Sequence, residues 1–326
     1  MTMVINILLT LLLLSSWSLA DTSSSTLDCS SFQSDRDIIR SFQFRILINP
    51  PESAISVDDT YAMVNNQGQV TELNFWGKSV PSSIYCLKNL NSLNIQYTSN
   101  FSISTEIVRL SGVLRKLTLS NISQLRSLPI ELFKVLSLQS LTISNSGLET
   151  LPEEIGQLSS LATLDLTYNR LRSLPNSLGT MWPLIELRLD KNPLTSLDAL
   201  TGSPRLSQLS ASNCAIDHLP TNLTRLRSFN LYGNRLTSLN TLDSLGVYGA
   251  ESMKFGKNNI TSLPATVNRL QVVQNLDLSN NLLTELPMWM YNVQIKEINL
   301  RQNKFDEKEW DWIVGMFRIS NTTVNF

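Results

Sequence analysis

The sequence predicts an α/β solenoid: a curved parallel β-sheet on the concave face, backed by short helical or irregular convex segments. Three observations predict it. One frame, L-x-x-L-x-L-x-x-N-x-L, recurs at intervals of 20 to 24 residues. Within each unit, apolar and polar residues alternate with period two, as in a strand with one buried face. The strand is followed by L-P-x-x-I-x-x-L, in which Pro fixes φ and opens a short convex turn.

The frame starts at Val70, Leu90, Leu114, Leu138, Leu161, Leu184, Leu206, Leu226, Ala250, Val273 and Ile295, which makes eleven units. In the unit from Leu161, Leu164 and Leu166 face inward while Asp165 and Thr167 face water. Leu151-Pro152 with Ile155 and Leu158 shows the second half most clearly. The units from Leu184 and Leu226 lack the Pro. No unit can bury its own apolar faces, so stability comes from its neighbours.

The ninth position sits where the chain leaves the strand. An Asn amide there can satisfy backbone groups that the tight turn would otherwise bury. It is Asn169, Asn192, Asn234, Asn258, Asn281 and Asn303 in six units, and Cys214 in one. The early units carry Lys78, Thr98, Ile122 and Ser146 instead. The unit from Leu114 holds one extra residue, because Leu125 falls one place late.

Both ends of such a stack need covering. Asp35 to Leu47 is predicted as an amphipathic helix, with Ile38, Ile39, Phe42 and Phe44 as core contacts and Asn49-Pro50-Pro51 as its stop. Asp306 to Phe317 is predicted as a closing helix, its Trp310, Trp312, Ile313, Met316 and Phe317 sealing the last unit. A sticky partner surface is the other reading of those aromatics. The predicted organisation is a leader at 1–20, a cap region at 21–69, the solenoid at 70–305, and a capping helix and tail at 306–326.

The repeat frame is identified as leucine-rich repeat, from Val70 to about Phe305. The stretch from Asn66 through Gly68 and Val70 to Leu73 resembles the start of the first repeat in extracellular plant-type and receptor-like members. In those, a cap helix and a cysteine pair precede it, which implies Cys29 with Cys86 here. The L-P-x-x-I-x-x-L halves also resemble the Ras-binding group and its plant relatives, which are cytosolic.

The leader argues for export. Ile5 to Leu14 is an apolar run, and Ser18 and Ala20 stand at the −3 and −1 positions of a cleavage site before Asp21. Met1 to Asn6 has no Lys or Arg, so an uncleaved anchor is the rival. No later stretch is apolar and long enough to span a bilayer, so no membrane span is expected after cleavage. Glycan acceptors lie at Asn100, Asn121, Asn222, Asn259 and Asn321.

The function follows from shape and inventory. Lys and Arg number 26 and Asp and Glu 27, a net charge of −1 that gives no reason to seek nucleic acid. His218 is the only histidine, so no multi-His metal site can be built, and no cofactor motif appears. A solvated side chain is the expected state of His218, and a buried ladder residue that of Cys214. No catalytic set can be named, and the chain is expected not to be an enzyme.

Outward strand residues at the fifth and seventh positions are short and polar, except for a few. Tyr168, Arg188, Asp190 and Tyr232 lie on nearby units and are the candidate contacts, because Tyr and Arg dominate interface energetics. Trp76 is a second candidate, with packing against the cap as its other reading. The expectation is a secreted, receptor-ectodomain-like or inhibitor-like module that binds a protein, peptide or glycan. A cytosolic Ras-group-like scaffold and a shortened receptor-kinase ectodomain are the alternatives.

Overall fold

The computed structural model describes residues 27–56, 58–99, 101–245, 249–265, 267, 270–320 and 322–325. The leader and the acceptors Asn100 and Asn321 lie outside the described residues. Among the described residues, fourteen strands form one sheet in strict chain order, β1 to β14.

Eleven of them carry the repeat: β3 (Val70–Trp76), β4 (Ser92–Gln96), β5 (Lys116–Ser120), β6 (Ser140–Ser144), β7 (Thr163–Asp165), β8 (Glu186–Arg188), β9 (Gln208–Ser210), β10 (Ser228–Asn230), β11 (Gly249–Lys254), β12 (Val272–Asp277) and β13 (Gln294–Asn299). All pair in parallel with fixed register, so Leu93, Leu117, Leu141, Leu164, Leu187 and Leu209 stand in one row. That row and its neighbours are fully buried and form one continuous core. The fold is therefore a leucine-rich-repeat solenoid. The prolines open 3-10 turns as expected: Pro129 before Ile130–Lys134, Pro152 before Glu153–Gln157, Pro175 before Asn176–Thr180, Pro287 before Met288–Asn292.

The ladder amides work across units. Asn192 donates to the carbonyls of Leu166 and Leu189, one in each of two adjacent units, and accepts from the Leu171 amide. Asn169, Asn234, Asn258, Asn281 and Asn303 repeat that pattern. Each ties two carbonyls and one N–H that would be buried without partners. Cys214 takes the same place, its thiol directed at the Leu189 and Ser212 carbonyls. The extra residue before Leu125 is absorbed by Gln124, which takes a left-handed φ of 75° and leaves Leu125 buried.

The N-terminal cap differs from its prediction. The helix α1 spans only Asp35–Arg40, opened by a capping box between Ser34 and Asp37. The predicted extension to Leu47 does not form, because Leu47–Ile48 is strand β1, paired with β2 (Tyr61–Val64). Asn49 locks that pairing, bonding both the N–H and the carbonyl of Val64. Strand β2 runs antiparallel to β3, the one reversed pair in the described sheet. Ile38 and Phe42 are buried all the same, and Phe42, Phe44 and Phe75 meet ring to ring at 5.7 to 6.1 Å. A disulfide joins Cys29 to Cys86.

At the other end, α2 (Glu307–Ser320) buries Ile313, Met316 and Phe317, and Trp310 meets Phe305 edge-on at 4.8 Å. Trp312 is not part of this seal; it stands 36% exposed. Strand β14 (Thr323–Asn325), which the repeat pattern does not announce, then covers the open edge of β13. No described helix is long and apolar enough to cross a membrane.

Candidate functional site

The outward face is built by the pleat. Residues three, five and seven of each unit point away from the core, and the eighth turns the chain off the strand. All eleven eighth positions are left-handed: Gly77, Tyr97, Asn121, Asn145, Tyr168, Lys191, Asn213, Gly233, Lys257, Asn280 and Gln302, with φ between 48° and 71°. Six of these are Gly or Asn, the residues that take this conformation most readily. Tyr97, Tyr168, Lys191, Lys257 and Gln302 are not, and each holds a long side chain there against a cost of about 1 kcal/mol. The recurrence of Asn and Gly at this position is the signal in the sequence for the turn, and it makes the five exceptions stand out.

Two of the exceptions are neighbours. Lys191 Nζ donates to the Tyr168 hydroxyl at 2.7 Å and lies 4.3 Å from its ring centre. Tyr168 remains 52% exposed. Both line a hollow of about 450 Å³ that also takes in Asn145 and Gln124. Arg188 lies in a different hollow, of about 300 Å³, with Glu186, Gln208, Ser228, Ser252 and Lys254. It pairs with Glu186 at 2.5 Å and stands 4.0 Å from Asp165. Third-position Glu186, Gln208, Ser228 and Ser252 were missed by taking only positions five and seven, although period two includes position three.

The remaining candidates fall elsewhere. Asp190 is occupied, accepting from Ser210 Oγ and the Ser212 amide, both at 2.6 Å. Tyr232 leans over the next unit, where Gly256 leaves it room: a Cβ on Gly256 would come within 3.0 Å of the ring. Neither borders the two hollows. The Trp76 ring meets that of Tyr97, in the next unit, at 4.1 Å, and the Trp76 backbone N–H donates to Thr60 Oγ1 of the cap. The acceptor Asn121 sits on the same rim as Tyr168, with its carbonyl taken by the Asn145 amide at 2.6 Å. Asn222 and Asn259 are exposed.

The two titratable groups of catalytic type, His218 and Cys214, have structural partners. His218 Nδ1 meets Asp217 and Nε2 meets Asp198 at 3.0 Å. Those contacts, Asp217 first, raise its pKa, and they leave neither ring nitrogen to activate a hydroxyl. Burial pushes the Cys214 thiol up to about 11, so it is protonated at neutral pH and a poor nucleophile. Among the described residues, no group of three or more His, Cys, Asp or Glu is placed to hold a metal ion.

Comparison with known proteins agrees with this geometry. Residues 111–247 match a leucine-rich repeat region family. Leucine-rich repeat-containing G-protein coupled receptor 5 of Homo sapiens is 37% identical over 99 residues, 30% of this chain and 10% of that protein. The chain spans only between 4% and 11% of the length of the curated relatives it matches. An internalin from Listeria monocytogenes superposes with a TM-score of 0.61 at 22% identity, over 78% of this chain and 80% of the other. The plant peptide hormone receptor RGFR1, in complex with RGF2, superposes with a TM-score of 0.51 at 21% identity, over 73% and 43%. At these identities the solved structures establish the fold.

Proposed function

We propose that this chain, a leucine-rich-repeat protein, is an extracellular recognition module that holds a peptide, a protein segment or a glycan on its concave face. The observation that carries the proposal is the Tyr168–Lys191 pair. Two long side chains occupy left-handed backbone that Asn or Gly fills in most other units, and they border an open hollow. Backbone strain held by a rigid scaffold is a mark of functional surfaces. Arg188, three residues before Lys191, lines the second hollow, which reaches Lys254.

Three things support the extracellular setting. The leader has a cleavage pattern before Asp21. The Cys29–Cys86 disulfide needs an oxidising compartment to persist. The similar plant protein is described as a peptide hormone receptor in complex with RGF2. Catalysis has no support: the fold is a binding scaffold, and His218 and Cys214 are committed to structural partners. The cytosolic reading would have to account for the disulfide.

Two experiments test the proposal. Expression with the native leader in a eukaryotic cell is expected to yield a secreted chain that begins at Asp21 and loses mass on glycosidase treatment. Retention in the cytosol would overturn the extracellular setting. A capture screen against extracellular proteins and glycans, run with the wild type beside Tyr168→Asn with Arg188→Gln, tests the face. Partners lost by the variant, at unchanged thermal stability, support it. Partners retained by the variant remove the concave face as the site.

A further inference from the structure

The N-terminal cap leaves a cavity that its own side chains do not fill. It lies between α1 and the strands β1 to β3 and measures about 640 Å³, within the range of small-molecule pockets. Its floor is apolar: Ile39, Phe44, Ile46 and Val64. Ile48, in the two-residue edge strand β1, stands 49% exposed at its border. A site of this size with an apolar lining and a few polar groups is the usual form of a small-ligand pocket.

The polar groups here are three arginines. Arg36, Arg40 and Arg45 all line the cavity, and all three are exposed. Arg36 and Arg40 are four residues apart on α1 and therefore share a face, an arrangement in which like charges repel. The carboxylates of α1 are committed elsewhere. Asp35 accepts from the Val70 amide at 2.8 Å, and Asp37 closes the capping box with Ser34. Among the described residues, none of the three guanidinium groups has an ion-pair partner. Guanidinium forks match carboxylate, sulfonate and phosphate oxygens two at a time.

We infer that the cap binds a small anionic amphiphile, with an aromatic or acyl body in the cavity and a carboxylate, sulfonate or phosphate head on the arginines. The apolar floor alone would accept any hydrophobic group; the three unpaired cations select an acidic one. An added peptide strand fits less well, because β1 offers only two residues of edge. This inference does not depend on the concave-face proposal.

The probe is 1-anilinonaphthalene-8-sulfonate, titrated by fluorescence into the disulfide-bonded chain that begins at Asp21. Saturable, single-site binding is expected, displaced by dodecanoate and not by dodecyl maltoside. Arg40→Gln with Arg45→Gln is expected to weaken binding tenfold or more, and Arg318→Gln, on α2, to leave it unchanged. Ile48→Glu, at a half-exposed position that tolerates charge, is expected to abolish binding while the thermal transition persists. Equal displacement by the neutral detergent, or unaltered binding in the arginine variant, overturns the inference. An absence of binding in the wild type overturns it as well. Phosphatidylserine vesicles distinguish a free amphiphile from a lipid surface: flotation with vesicles in the absence of dodecanoate binding would assign the arginines to a membrane instead.

Discussion

The units before Leu161 and those from Leu161 onward solve the same problem with different atoms. At the turn off each strand, buried carbonyls need donors. The later units supply one Asn amide that reaches the carbonyls of two adjacent units and accepts an N–H as well. The earlier ones use shorter groups. Thr98 Oγ1 reaches the Lys78 and Gln96 carbonyls, and Ser146 Oγ reaches that of Ser144. Ile122 offers nothing polar at all. The weaker half is the one next to the disulfide and the phenylalanine cluster. Stability in a linear array must be supplied locally, so covalent and aromatic closure stand in for the missing amides.

The comparison can be broken in several places, and the largest effect belongs to the staple. Cys29→Ser with Cys86→Ser releases a loop closed over 57 residues and is expected to lower stability by about 4 kcal/mol. Urea unfolding should then show the N-terminal units melting first, which hydrogen exchange can resolve unit by unit. A uniform loss across the array would contradict the division. Asn192→Ala comes next, since it leaves two carbonyls and one N–H buried without partners. A loss of about 3 kcal/mol is expected. Thr98→Val, the corresponding change in the early half, is expected to cost about 1 kcal/mol by the same measurement. Equal losses for the two would mean that hydroxyl and amide ladders are equivalent.

Smaller effects sharpen the later half. Tyr168→Asn replaces a strained left-handed residue with one that favours the conformation. It is expected to raise stability by about 1 kcal/mol while ligand capture falls. A loss of stability would show that the Lys191 contact outweighs the strain. The smallest effect is that of pH. His218 has a raised pKa through its bonds to Asp217 and Asp198, so the folded chain holds the proton more tightly than the unfolded one. Its contribution is complete below the unfolded pKa and is lost as pH rises through the folded value. The difference in melting temperature between wild type and His218→Gln should shrink from about pH 5 to about pH 8.

Much of this was legible in the sequence. The apolar frame fixes strand register, and Asn at a constant place in that frame fixes the ladder, because both follow from a period that repeats many times. The caps repeat nothing. Helix periodicity from Asp35 continues to Leu47, yet pairing with β2 takes Leu47 and Ile48 into the sheet, and no local pattern records a partner fourteen residues away. Strand β14 was hidden for the same reason. Of the candidate contacts, Tyr168 and Arg188 were visible by residue type, but Asp190 proved to be held by Ser210 and Ser212. Side-chain commitment of that kind depends on the neighbouring unit and cannot be read from one position.

The unbroken register of the sheet also makes it a ruler. Eleven parallel strands, at about 4.8 Å each, set a span of roughly 48 Å between the first and the last. A fully extended chain laid across them covers that distance with about fourteen residues. A ligand that must touch both Trp76 on β3 and the outward face of β13 is therefore measured for length, and a shorter one can satisfy only one end at a time.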